Sequence, residues 1–144
     1  MSRDKEKKFS AKHGADAQAD PTVRQRIESY SEKGEVACAV AFKIGEELEL
    51  PPADIGRAID LLELKITQCQ LGLFGYGSRK KAFEPKAPEN QRLEAAIRDA
   101  LNNERLACRD AWDIARRFDL PKMAVSAACD ALEIKIKPCQ LGAF

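Results

Sequence analysis

The residues best suited to chemistry are four cysteines that come as two matched pairs. Cys69 opens the run Cys69-Gln70-Leu71-Gly72-Leu73-Phe74, and Cys139 opens Cys139-Gln140-Leu141-Gly142-Ala143-Phe144. Cys38 and Cys108 stand 31 residues upstream of them. Four thiolates gathered at one point are what an all-cysteine zinc site or an iron–sulfur cluster requires. Against that use, the chain has no CxxC pair, and cysteine also serves as a small buried hydrophobe. Cys38 and Cys108 lie one turn before Phe42 and Trp112 on a helix flank, which suits packing. The expectation is therefore no metal and no cofactor, with Cys38, Cys69, Cys108 and Cys139 as the candidates if one binds. Cys129 aligns with Ile59 and reads as core.

Other reactive types are sparse. The one histidine, His13, lies in residues 1–19, a polar and aperiodic stretch expected to be a disordered tail. There is no Gly-rich phosphate loop, and no serine or cysteine has a visible base. The repeated carboxylates Asp60/Asp130 and Glu63/Glu133 fall near a helix end and read as surface charges or partners of the repeated lysines. No catalysis is expected.

The matched pairs belong to a longer duplication. Laying residues 23–74 over 93–144, an offset of 70, gives 18 identities in 52 positions without a gap. They include Ala37/Ala107, Ile44/Ile114, Leu50/Leu120, Pro51/Pro121, Leu62/Leu132, Lys65/Lys135 and Ile66/Ile136. The expected organisation is tail 1–19, first repeat 20–74, basic linker 75–90 and second repeat 91–144. Repeats of this size are near the lower limit for a lone core, so a shared core is expected.

Composition is that of an ordinary globular chain, 44 % hydrophobic and 33 % charged, with a net charge of +1. Residues 23–74 have 6 basic and 9 acidic residues, and residues 75–92 have 5 and 2. That is not the strong basic field of a dedicated nucleic-acid binder. No apolar run is long enough to span a membrane, and the first residues lack a secretory h-region. A cytoplasmic protein with reduced thiols is expected.

The elements follow from caps and periods. Asp20-Pro21 is a helix start, and Val23, Ile27 and Tyr30 share a face, so a helix is predicted over 21–32 with Gly34 as its left-handed stop. Ala37, Val40, Ala41, Ile44 and Leu48 predict a helix over 35–48, ended by Leu50-Pro51-Pro52. A third helix is predicted over 52–62 and a half-buried strand over 64–71. The second copy gives helices at 89–102, 104–118 and 122–132 and a strand at 134–141.

That order resembles a winged-helix or helix-turn-helix unit. The likeness rests on the stretch from Ala41 to Ala58, repeated from Trp112 to Pro121, and covers about 45 residues per copy. It implies a mostly α protein of two winged-helix-like repeats whose third helices read DNA. Those helices are expected to expose Ala53, Asp54, Gly56, Arg57 and Asp60, and Lys122, Met123, Ala124, Ser126, Ala127 and Asp130. The implied nucleic-acid contacts are Arg57, Lys65, Arg79, Lys80, Lys81, Lys122 and Lys135, with Lys137, Arg116 and Arg117 as further basic groups. A DNA-binding or transcription-regulatory protein is expected, with a protein-interaction adaptor as the alternative. Because a hairpin return after residue 141 has no chain, the strands 64–71 and 134–141 are expected to pair with each other, antiparallel, about a pseudo-two-fold axis.

Overall fold

The computed structural model describes residues 20–143. The tail, His13 and Phe144 lie outside the described residues. The elements in order are α1 (Pro21–Tyr30), β1 (Glu35–Ala37), α2 (Cys38–Leu48), α3 (Pro52–Leu61), β2 (Lys65–Thr67), α4 (Gln91–Asp99), β3 (Arg105–Leu106), α5 (Cys108–Arg117), α6 (Lys122–Ala131) and β4 (Lys135–Ile136). The protein is mostly helical, with six helices and two small strand pairs among the described residues.

The chain divides into two compact units after Gln68. In the first, the Asp20 carboxylate accepts the N–H groups of Thr22 at 2.9 Å and Val23 at 3.3 Å, which starts α1. Val23 and Ile27 then face inward beside Ala41 and Ile44 of α2 and Ile55 and Ile59 of α3. Arg26 ties α1 to α2 by bonding Glu47 at 2.7 Å, and the Tyr30 hydroxyl donates to the same carboxylate at 3.0 Å. The second unit starts at Cys69. Its core joins Leu93 and Ile97 of α4, Ala111, Ile114 and Ala115 of α5, and Val125 and Cys129 of α6. Cys69 and Leu71 belong to that core as well. The first CQLGLF run thus packs with the second unit rather than with the repeat that precedes it.

The expected antiparallel ribbon is corrected. β2 pairs with β1 in parallel, with Glu35, Val36 and Ala37 opposite Lys65, Ile66 and Thr67. β4 pairs with β3 in parallel, with Arg105 and Leu106 opposite Lys135 and Ile136. Each strand finds its partner within its own unit. The partner strand was hidden because two or three residues are too few for a period to register. It occupies what the apolar pattern assigned to the start of the second helix, so α2 begins at Cys38 and not at 35. The strands are also shorter than predicted, stopping at Thr67 and Ile136.

The helix stops differ too. Gly34 is left-handed (φ 77°), but α1 has already ended at Ser31 in extended backbone. Gly34 instead turns the chain into β1, and its carbonyl accepts the Lys65 N–H at 2.9 Å. The left-handed stops of α2, α3, α5 and α6 are acidic residues: Glu49, Glu63, Asp119 and Glu133, with φ between 54° and 60°. Each is followed by an N–H reaching back to the carbonyl five residues earlier, as in Leu50 to Gly45 at 2.9 Å and Ile134 to Cys129 at 2.8 Å.

Candidate functional site

The helices α3 and α6 are where helix-turn-helix logic looks for a binding surface. In the first unit, Ala53, Asp54 and Arg57 of α3 are exposed, as expected. Gly56 and Asp60 are buried, which corrects their expected exposure: α3 leans further onto its unit than a one-sided stripe implies. Val23, Leu48, Leu50 and Ala58 floor a groove of about 450 Å³ between α1 and α3, with Asp20, Asp54 and Arg57 at its edges.

The second unit has the same groove at the same repeat positions. Asn90, Leu93, Leu120, Ala124, Ala127 and Ala128 stand where the first unit has Asp20, Val23, Leu50, Asp54, Arg57 and Ala58. Here residues 86–89 of the chain itself form one wall. The Lys86 N–H donates to the Ala127 carbonyl at 3.1 Å. Pro85 and Pro88 keep the residues before them out of helix, so this stretch runs extended. Upstream, the Ala82 N–H bonds the Gly72 carbonyl at 2.8 Å, and Lys81 bonds Asp130 of α6 at 2.9 Å. A Cβ on Gly72 would stand 3.0 Å from Phe83 and 3.2 Å from the Met123 side chain, tighter than ordinary contact, and the φ of 77° strains any other residue there.

The linker therefore lies against α6. Ser126 and Ala127 are buried, contrary to the expectation that α6 presents them to a ligand. The physical reason is that the small residues of α6 invite close packing, and the extended segment takes that place.

The other basic residues singled out in the sequence are scattered. Arg79 and Lys80 are exposed on the linker, Lys65 and Lys135 on the strands, and Lys137 just past β4. Lys81 is committed to Asp130 and lies over the Phe83 ring. Lys122 is half-buried, with its ammonium 4.6 Å from the Trp112 ring centre. Arg116 and Arg117 both face Asp113, whose carboxyl is held below its ordinary range first by the Arg116 hydrogen bond. A further groove of about 630 Å³ in the second unit is lined by Phe74, Phe83, Lys81, Asp130, Glu133 and Lys135 among others. Its charges are mixed, and it contains no serine or cysteine paired with a base.

The cysteines divide unevenly. Cys38 is the first residue of α2 in the first unit. Cys69, Cys108 and Cys139 fall in the second, Cys108 as the first residue of α5. All are free thiols. Burial pushes the thiols of Cys69 and Cys108 up, and pushes Cys129 to about 12. Cys129 is wholly buried, as read from its alignment with Ile59. Among the described residues, no three His, Cys, Asp or Glu side chains are grouped as a single metal ion requires. No described helix is long and apolar enough to cross a membrane.

No protein-family model, curated protein or solved structure matches the chain.

Proposed function

We propose that the protein is a non-catalytic interaction module, and that the α1–α3 groove of its first unit grips an extended segment of a protein partner. One observation carries this reading: the equivalent groove of the second unit is lined by an extended stretch of this same chain. What lies along one copy of a duplicated groove is a guide to what the other accepts. The segment it takes is extended, contains proline, and combines apolar with basic side chains. The floor is apolar, and Asp20 and Asp54 outnumber Arg57 at the rim. The excess of acidic residues in the first repeat favours the same partner charge. A reducing compartment such as the cytoplasm suits the five free thiols.

A labelled peptide of residues 80–90 is the probe. It should bind the full chain saturably, shift the amide resonances of α1 and α3, and lose affinity about tenfold with Asp54→Lys, as expected for a charge reversal at a rim. Absence of saturable binding, or an unchanged affinity in Asp54→Lys, overturns the reading.

A second reading treats each unit as a winged-helix relative that has lost its hairpin, serving DNA binding or transcription regulation. The exposed Arg57, Lys65, Arg79, Lys80 and Lys135 favour it. The exposed Asp54, which offsets Arg57 on α3, and the covered α6 disfavour it, since phosphates avoid carboxylates. Retention on random duplex DNA at low salt, with Arg79→Ala and Lys80→Ala each flattening the salt dependence by about one unit, would support this reading over the first.

A further inference from the structure

Cys108 and Cys139 lie side by side just past the β3–β4 pair. Leu106 stands opposite Ile136, and the Lys137 N–H donates to the Leu106 carbonyl at 2.8 Å. The Cys108 N–H then donates to the Pro138 carbonyl at 3.0 Å, so the two segments stay together beyond the strand ends. The carbonyl carbon of Pro138 is bonded to the nitrogen of Cys139. With standard bond lengths and strand spacing, this contact holds the Cα atoms of Cys108 and Cys139 about 5–7 Å apart. A disulfide spans Cα atoms roughly 4.4–6.8 Å apart. A second contact brings the Cys108 sulfur to the same place: Gln140, the residue after Cys139, donates from Nε2 to Cys108 Sγ at 3.3 Å.

The two thiols differ in what can reach them. Cys139 is half-buried, while the other four cysteines, including Cys69 at the matching place of the first CQLG run, are buried. An oxidant in solvent therefore meets Cys139 first. The Leu141 N–H donates to Cys139 Sγ at 3.3 Å, and a thiolate gains more from such a donor than a thiol does. Gly142, left-handed at φ 79°, closes the turn that aims this donor, its own N–H bonding the Cys139 carbonyl at 3.0 Å. Cys108 opens α5, and burial pushes its thiol up, so it stays S–H until a partner sulfur is presented to it. An accessible thiol that oxidises first, beside a shielded one that resolves it, is the arrangement that redox-sensing cysteines use.

We propose that Cys139 is an oxidation site for hydroperoxides and that Cys108 closes it into a reversible disulfide. The Cys139 thiol gives its proton to solvent, and its sulfur attacks the outer peroxide oxygen. An S–O bond forms as the O–O bond breaks, the departing oxygen takes a proton from solvent, and Cys139 is left as a sulfenic acid. The Cys108 sulfur then attacks the Cys139 sulfur. The S–S bond forms as the S–O bond breaks, and the Cys108 proton leaves with the hydroxide as water. Two thiols have lost two electrons, and one hydroperoxide has gained them. The bridge ties the second CQLG run to the first turn of α5, in a loop that contains α5 and α6. A dithiol reductant reverses it by thiol–disulfide exchange, and a disulfide that forms and is reduced in turn is compatible with a reducing compartment.

The test treats the reduced full chain with hydrogen peroxide and counts thiols after denaturation. Two of the five should be lost, and both should return with dithiothreitol. Non-reducing digestion and mass spectrometry should find the peptide of Cys108 joined to that of Cys139. In Cys108→Ser the second step is blocked, so Cys139 should accumulate as a sulfenic acid that dimedone labels. Cys139→Ser, checked for folding by far-ultraviolet circular dichroism, should lose thiols about tenfold more slowly, since only buried sulfurs remain. The digest of the unaltered chain decides the matter even where a variant fails to fold. Retention of all five thiols at a peroxide concentration that oxidises glutathione, an internal disulfide that includes Cys38, Cys69 or Cys129, a cross-link between two chains in place of the internal one, or an unchanged rate in folded Cys139→Ser would each overturn the proposal.

Discussion

At the scale of single residues, burial and charge act separately. Ile114 is 1 % exposed at the centre of the second core, so Ile114→Ala should cost about 2–5 kcal/mol, read as a fall in melting temperature. Glu47 is at the surface, and its carboxyl is held below the ordinary 4.5, first by the Arg26 hydrogen bond and then by that of Tyr30. A depressed carboxyl pKa adds stability that is complete above the unfolded value and is lost as pH falls through the folded one. The loss at this site therefore falls on the acid side of 4.5. In Arg26→Ala, the Glu47 titration followed by NMR should move up toward the ordinary value. A titration that does not move would show that the α1–α2 pair is not formed in solution.

At the scale of elements, the helix ends hold an opportunity. Glu49 and Asp119 stop α2 and α5 in the left-handed region, where a side chain costs about 1–2 kcal/mol that glycine avoids. A negative charge at a helix C-terminus is also unfavourable to the helix dipole. Glu49→Gly should therefore raise stability by about 0.5–1 kcal/mol, measured by urea denaturation, and a loss would show that the carboxylate has a partner worth more than the strain. The helices themselves were legible in the sequence. Asp20, Pro51 and Pro121 mark their starts, and the apolar stripes mark their inner faces. β1 and β3 were not legible, because a strand of two or three residues is specified by the neighbour it pairs with and not by its own pattern.

At the scale of the whole molecule, the division after Gln68 makes Leu71 a core residue of the second unit. Leu71→Ala should lower hydrogen-exchange protection across α4, α5 and α6 first, and should cost about 2–5 kcal/mol as a fully buried leucine. Protection lost first in α1 would instead mean that Leu71 serves the repeat that precedes it. Leu141 holds the matching position in the second CQLG run and is equally buried, so Leu141→Ala should give a similar loss in the same helices.

The duplication, the helical class, the inward faces and the repeated thiols were all readable from the amino-acid sequence. Each depends on residue types at local spacings, and an offset of 70 states itself without coordinates. Tertiary structure decided what those spacings cannot express. It set which unit the first CQLGLF run joins, which helix the linker covers, and which unit each of the repeated cysteines falls in. Residues 75–90 read as a linker because they are rich in glycine, proline and lysine. Yet they pack on α6, since Ser126 and Ala127 leave room for a backbone to approach and Lys86 finds a carbonyl there. Contacts of this kind are made between residues tens of positions apart, and the free energy that selects them comes from surfaces that exist only once both partners are folded.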